Sequence, residues 1–337
     1  MRIALDAMGG DHGPEELIVG ALLAVEQADL YISLVGDESL LQSHLKKIAS
    51  GSQAADRLQI IHASQVVGMD EHPVDAIRKK KDSSIVVAFD LVARGEVEAV
   101  VSAGNSGATM AAALRKLGRI KNVSRPGIAS VFPTLKKPVV MMDVGANVDC
   151  RPVHLYQFGV MAAAFARIYD IQQPRVGLLT IGEETGKGNI LVKESYELLK
   201  ESSLNFIGNV EGRDVFQGNV DVIVCDGFVG NICLKISEGL AEAAMEMLRS
   251  EIVKSSAAKI GYLLSRPAFK AFKKRVDYAE YGGAPLLGIN GTGIVCHGKS
   301  SGQAIKNAIF EAVHMVRNNI NDVIARDLGA YDISLGA

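Results

Sequence analysis

Apolar positions along the chain come in short runs set between longer stretches of helical period. The runs "RIALD" (2–6), "LYISLV" (30–35), "LQIIHA" (58–63), "VEAVVSA" (97–103), "PVVMMDV" (138–144), "RVGLLTI" (175–181) and "DVIVCDG" (221–227) predict strands. Several are almost continuously hydrophobic, as expected of a parallel sheet covered on both faces. Between them, residues 14–28, 84–95, 108–118, 154–169 and 190–202 repeat apolar side chains at three- and four-residue spacing and predict helices. The βαβα alternation predicts a doubly wound, mostly parallel α/β sheet in three α/β/α layers. Residues 229–275 break the alternation. They form one long helical stretch without a strand, read as a protruding hairpin that Pro267 divides. Residues 300–328 predict a closing helix with a serine cap. No repeat or linker interrupts 1–337, so a single catalytic unit is expected, with room for two lobes around a cleft.

In open α/β sheets ligands bind beyond the carboxyl ends of the strands. Almost every predicted strand end here carries glycine beside Asp, Asn, Ser or His: "AMGGDHGP", "AGNSGA", "GANVD", "IGEETGKGN", "DGFVGN" and, later, "YGGAPLLGINGTG" and "HGKSSG". Their convergence on one sheet edge is expected to build an anion site from backbone N–H groups and helix N-termini. The nucleotide motifs fail. No G-x-G-x-x-G follows the first strand. "LTIGEETGKGN" (179–189) has three residues between Gly182 and Gly186, two of them Glu, and Gly188 where a P-loop has Ser or Thr. "GNSGA" (104–108) is one substitution from the G-x-S-x-G nucleophile elbow and sits at a strand–turn–helix junction. Asp226 and His297 follow Ser106 in the order of a hydrolase triad. A serine esterase or thioesterase is thus one reading; a helix-capping or phosphate-binding Ser106 is the other.

Composition narrows these choices. Lys plus Arg is 36 against 38 for Asp plus Glu, and Trp is absent, so nothing favours nucleic acid. The four cysteines form no C-x-x-C pair, and Asp11, His12, Asp143, Asp226 and His297 lack metal-ligand spacing, so neither disulfides nor a metal is expected. No signal-peptide core opens the chain, and no apolar run approaches the ~20 residues of a membrane span. A cytoplasmic protein is expected.

Taken in order, "IALDAMGGDHGP", "VSAGNSGA", "DVGANVD", "GLLTIGEETGKGN", "FIGNVEGRD", "DVIVCDGFVGNICLK", "YGGAPLLG" and "HGKS" resemble the signature blocks of the bacterial acyl-[acyl-carrier-protein]–phosphate acyltransferases, the PlsX family of fatty acid and phospholipid synthesis. The resemblance spans nearly the whole chain. It implies a fold similar to isocitrate and isopropylmalate dehydrogenases and to phosphotransacetylase. The implied reaction joins an acyl group from acyl carrier protein to inorganic phosphate, without a cofactor. The family more often has Thr at the position of Ser106, which suits a hydroxyl hydrogen bond and not a nucleophile, and commonly Asn where this chain has Thr180.

On that reaction, Lys187 would clamp phosphate or the oxyanion. Gly104, Asn105, Ser106 and Gly107 would hydrogen-bond phosphate, with Gly230 and Asn231 lining the same site. Gly9, Gly10, Asp11, Asn147, Gly182 and Glu183 complete the expected substrate-binding set. His12 or His297 would protonate the leaving thiolate. Asp6, Asp143 and Asp226 would fix loops behind them. The resemblance also implies a homodimer, peripheral membrane contact and hand-over of acyl phosphate to a membrane glycerol-3-phosphate acyltransferase. Residues 254–278 carry seven Lys or Arg among Ile260, Leu263, Leu264, Phe269 and Phe272. Such a segment suits an anionic lipid surface, the acidic carrier protein or a dimer contact.

Overall fold

The computed structural model describes residues 1–11, 13–276 and 282–329. All seven predicted strands form: β1 (Arg2–Asp6), β2 (Tyr31–Gly36), β3 (Leu58–His62), β4 (Ala99–Ser102), β6 (Val139–Met142), β7 (Arg175–Leu179) and β9 (Val222–Val224). Four more complete the sheet: β5 (Gly127–Phe132), β8 (Asn205–Val210), β10 (Ala284–Leu287) and β11 (Thr292–Val295). The eleven strands make one sheet in the order β3-β2-β1-β4-β11-β10-β5-β6-β9-β7-β8. Helices cover both faces: α1 (Pro14–Gln27), α2 (Glu38–Ile48), α3 (Pro73–Lys79), α4 (Ser84–Ala93), α5 (Ser106–Lys116), α6 (Pro152–Ala166), α7 (Ile190–Glu201), α11 (Gly302–Arg317) and α12 (Ile320–Gly329). Alternate side chains serve alternate layers. Ile3 and Leu5 enter the cluster with α1, α6 and α11, while Ala4 and Val100 enter the one with α4 and α5.

The sheet is mostly parallel, but its direction reverses in the middle. β10 runs antiparallel to both β11 and β5, and β5 runs antiparallel to β6. β1, β2, β3, β4, β11 and β5 therefore point one way, and β6, β9, β7 and β8 the other. The glycine-rich strand ends accordingly do not gather on one edge, as the hydrophobic pattern alone suggests. Those after β1, β4 and β11 lie at one edge, and those after β6, β7 and β9 at the other.

Two helical expectations are also corrected. The closing helix is two, separated at Asn318 and Asn319, and Asn319 adopts a φ of 49°. The 229–275 stretch is three: α8 (Gly227–Lys254), α9 (Ser256–Leu264) and α10 (Arg266–Val276). Ser255 caps α9 with its hydroxyl on Ala258 N at 3.3 Å. Pro267 sits in the first turn of α10, where a missing N–H costs nothing. α9 packs on α8 and α10 on α9. Over the 28 residues of α8 only Gly227 and Gly230 are buried, so this unit stands out from the sheet. The Arg275 guanidinium ties its far end back to the carbonyls of Thr134 and Leu135.

Candidate functional site

At the first edge three loops interlock. Asp6, buried at the end of β1, accepts from Ser102 Oγ at 2.8 Å, and Ser102 Oγ accepts in turn from Gly104 N at 3.1 Å. Burial pushes the Asp6 pKa up, and hydrogen bonds from Ser84, Ser102 and the backbone of Met8 and Gly9 oppose it. A Cβ on Gly9 would lie 2.6 Å from Gly104 N, so the loops after β1 and β4 touch backbone to backbone. Asp11 N donates to Gly298 O at 2.7 Å, which fixes the loop after β11. Gly9, Gly10 and Asp11 thus join loops, and none of them lines the cavity described below. His12 lies outside the described residues.

Asn105 caps α5, accepting from Ala108 N at 3.0 Å, while its amide donates to Met69 O at 3.0 Å and Glu71 O at 3.2 Å. A Cβ on Gly107 would meet Pro73 of α3 at 2.6 Å. Of "GNSG", only Ser106 reaches the cavity described below.

At the opposite edge Asp143 organises the turn after β6. Its fully buried carboxylate accepts from Ile128 N (3.0 Å), Gly145 N (3.3 Å), Ala146 N (3.1 Å), Asn147 N (2.7 Å) and Asn147 Nδ2 (2.9 Å). Burial raises its pKa and these bonds counter the rise. Asn147 spends its other proton on Pro126 O at 2.8 Å; it is a brace. Asp226 caps α8 through Val229 N at 2.9 Å. A Cβ on Gly230 would lie 1.9 Å from Asp143 O, so only glycine lets α8 seat there. Asn231, the next residue, lies against Gly145 and faces open space.

Between these edges, over β5, β10 and β11 and under α8, lies a cavity of about 210 Å³. Its polar lining is Ser106, Ser130, Asn231, Lys235, Glu238, His297 and Ser300; Ile128, Val131, Val144, Leu234 and Val295 supply apolar wall. Lys235 pairs with Glu238 at 2.9 Å. His297 Nδ1 accepts from Lys299 N at 3.1 Å, which leaves Nε2 to carry a proton. That bond occupies the nitrogen a triad carboxylate would hold, and Asp226 is engaged as a helix cap. No base lies within hydrogen-bond distance of Ser106 among the described residues, so the hydrolase triad is not assembled. The thiols offer no nucleophile either. Burial pushes Cys150 up to about 11 and Cys296 up to about 12.

Residues 180–189 stand apart. They follow β7, at the second edge, and are mostly exposed. Glu183 pairs with Arg213 at 3.0 Å, Asn209 Nδ2 holds Glu184 O at 3.0 Å, and Asn189 caps α7. The stem of Lys187 folds over Gly182. Its ammonium makes no ion pair among the described residues, and neither residue lines the cavity. β7 neighbours β9, the strand that feeds α8, so this loop flanks the base of that helix. The cavity's cation is Lys235, which the sequence reading did not single out. Its position four residues after Asn231, on the same helix face, was the available signal.

The fatty acid synthesis protein family model matches residues 1–323. The chain belongs to that family. It is 56% identical to the phosphate acyltransferase of Syntrophotalea carbinolica, across 97% of this chain and 94% of the relative. It is 55% identical to that of Geobacter sulfurreducens over the same shares. Among solved structures it resembles a phosphotransacetylase from Streptococcus pyogenes, with a TM-score of 0.62 at 19% identity over 95% of this chain and 94% of that one. It also resembles the EutD phosphotransacetylase from Staphylococcus aureus, with a TM-score of 0.59 at 17% identity over 94% of each chain. At such identities these likenesses describe the fold, and they agree with the phosphotransacetylase-like architecture implied by the signature blocks.

Proposed function

We propose that this family member is a phosphate acyltransferase that moves an acyl group from acyl carrier protein to inorganic phosphate, supplying acyl phosphate for phospholipid synthesis. The observation that carries the chemistry is the meeting of Ser106, Asn231, Lys235 and His297 around one small cavity, with no base on the serine among the described residues. Phosphate needs no such base, because it is already an oxygen nucleophile. Attack of hydrogen phosphate on the thioester carbonyl forms the C–O bond and expels the thiolate. The proton phosphate carried passes to that thiolate, so acyl phosphate and free thiol result. Lys235 and the Ser106 hydroxyl hold the anion, Asn231 and His297 Nε2–H stabilise the tetrahedral oxyanion, and His297 relays the proton. Lys187, which makes no ion pair among the described residues, is assigned to the approach beside the base of α8.

The assembly follows from α8 and its hairpin. Phe228, Ile232, Ile236, Leu240 and Met247 form an exposed stripe at helical spacing, which suits a homodimer. Ile260, Leu263 and Leu264 are exposed on α9, and beside the basic α10 they suit peripheral contact with an anionic membrane from the cytoplasm. No helix among the described residues is long and apolar enough to cross one. A membrane glycerol-3-phosphate acyltransferase would receive the product there.

The test is to incubate purified protein with acyl carrier protein thioester, with and without phosphate, and to trap products with hydroxylamine. Phosphate-dependent hydroxamate is expected. Free fatty acid released without phosphate would favour a hydrolase instead.

A further inference from the structure

Asn231, Leu234 and Glu238 line the cavity from α8, and the same helix face runs on through Ala241, Met245, Leu248 and Ile252. The steps of three and four residues keep these side chains in one row. Beyond Glu238 the row becomes the floor of a groove of about 870 Å³, roofed by α9 and α10. Tyr262 and Phe269, with ring centroids 5.0 Å apart, form its far wall. Glu238 belongs to both spaces, so the groove continues the site.

We infer that this groove takes the hydrocarbon tail of the acyl substrate, an assignment that rests on the acyl-transfer reading above. A cavity of about 210 Å³ falls below the roughly 300–1,000 Å³ that encloses a drug-sized ligand. It has room for phosphate and the reacting carbonyl, and the tail must leave it. Past Glu238 the row along α8, with Ala241, Met245, Leu248 and Ile252, offers an apolar path. From Glu238 to Ile252 it rises about 21 Å at ~1.5 Å per residue. One leaflet of a bilayer core is about 15 Å deep, so a membrane-lipid tail fits lengthwise. Charged groups, among them Glu242, Arg249, Lys259 and Lys270, stand around the groove and mark its border with water. A second copy of the chain has a different surface to cover, the Phe228–Met247 stripe on the outer side of α8, and its docking there leaves the groove open.

The experiment uses the full chain and compares palmitoyl- and butyryl-carrier protein as substrates with saturating phosphate. Ala241→Trp fills the groove just past Glu238, where a butyryl chain has already ended. Its kcat/KM for the palmitoyl substrate should fall ~10-fold or more, with the butyryl value held within ~2-fold. Met245→Asp, which adds a carboxylate to the floor without filling it, should show the same selectivity. Ala244→Trp, an exposed position of α8 outside both the groove and the dimer stripe, should alter neither value. Thermal unfolding checks that each variant is folded. An unchanged palmitoyl rate, an equal loss on both substrates, or a change of oligomeric state in Ala241→Trp overturns the assignment, the last giving the groove to a second copy. If the unaltered chain forms no hydroxamate from either substrate, the transfer reading fails and the groove assignment goes with it.

Discussion

Nζ of Lys235 lies 2.9 Å from Oε2 of Glu238, one helical turn further along α8, and both face the cavity. The lysine is about half exposed (55%) and the glutamate mostly covered (13%). A pair open to water on one side is held by ~0–1 kcal/mol. On the transfer reading proposed above, Lys235 would exchange Glu238 for an incoming phosphate at small cost.

Lys235→Met keeps length and removes charge. It should lower kcat/KM for phosphate ~10²-fold or more, about 2.7 kcal/mol of transition-state stabilisation. Lys187→Met should act mainly on KM, by ~10-fold, because its ammonium stands outside the cavity. Steady-state kinetics over a phosphate series separates the two. A Lys235→Met enzyme within twofold of normal would sink the clamp assignment.

The Ser106 hydroxyl is expected to donate to phosphate and never to be acylated. Ser106→Thr should keep most activity, since the hydroxyl remains. Ser106→Ala should raise KM for phosphate ~10- to 100-fold, the worth of a hydrogen bond to a charged partner at about 1.5–3 kcal/mol. Labelling of Ser106 by a fluorophosphonate, with loss of turnover in the threonine variant, would reinstate the covalent route.

Glu311 of α11 is buried and accepts from Tyr169 OH at 2.7 Å, yet burial pushes its pKa up to about 7 from 4.5. Because the folded pKa is the higher one, the unfolded chain releases this proton first as pH rises. The stability gained by keeping the acid protonated is complete below about 4.5 and lost by pH 7 and above, on the order of 3 kcal/mol across the window. Glu311→Gln should flatten that slope, with Tm near normal at pH 5 and higher than normal at pH 8. Parallel Tm–pH curves for the two proteins would show that Glu311 does not titrate in this range.

Leu263 and Leu264 are 66% and 78% exposed at the end of α9. Replacing both by Glu sets carboxylates against the lipid interface. Flotation with anionic vesicles should fall several-fold while soluble transferase activity persists. Unchanged flotation would take the membrane role from this segment, and collapse to monomers would give it to the dimer contact.

What the sequence made legible were the buried strands with continuous apolar runs and the helices between them. β5, β8, β10 and β11 escaped for local reasons. "GIASVF" is diluted by Ala and Ser, "NFIGNV" bends at Gly208 (φ 100°), "APLL" holds a proline, and "TGIV" is only four residues long. Three of these four, β5, β10 and β11, form the seam where strand direction reverses, so their omission also put all the strand-end loops on one edge. With every strand taken as parallel, the loops of Lys187 and Ser106 belong to one edge; with the reversal they face opposite ways. Ser106, Asn231 and His297, named as strand-end residues, line the same cavity. Asn105, Asn147 and Gly230 were also singled out, and their chemistry goes into bracing loops and seating α8. Lys235 is eight residues into its helix, and only the packing of α8 over β5 brings it to the cavity.

The place of β10 and β11 has a consequence for synthesis. They are the last of the described strands to be made, and they insert at the centre of the sheet, between β4 and β5. Until about residue 295 has left the ribosome, β4 and β5 each present an unpaired, fully buried-type edge to the cell, the kind that pairs with other chains. The two halves of a nascent chain can collapse early, but they cannot close. A chaperone is therefore expected to hold the growing polypeptide until β10 and β11 emerge. A chain ended after residue 283 should sediment as aggregate on expression, and its recovery as a soluble, cooperatively folded protein would contradict this order of assembly.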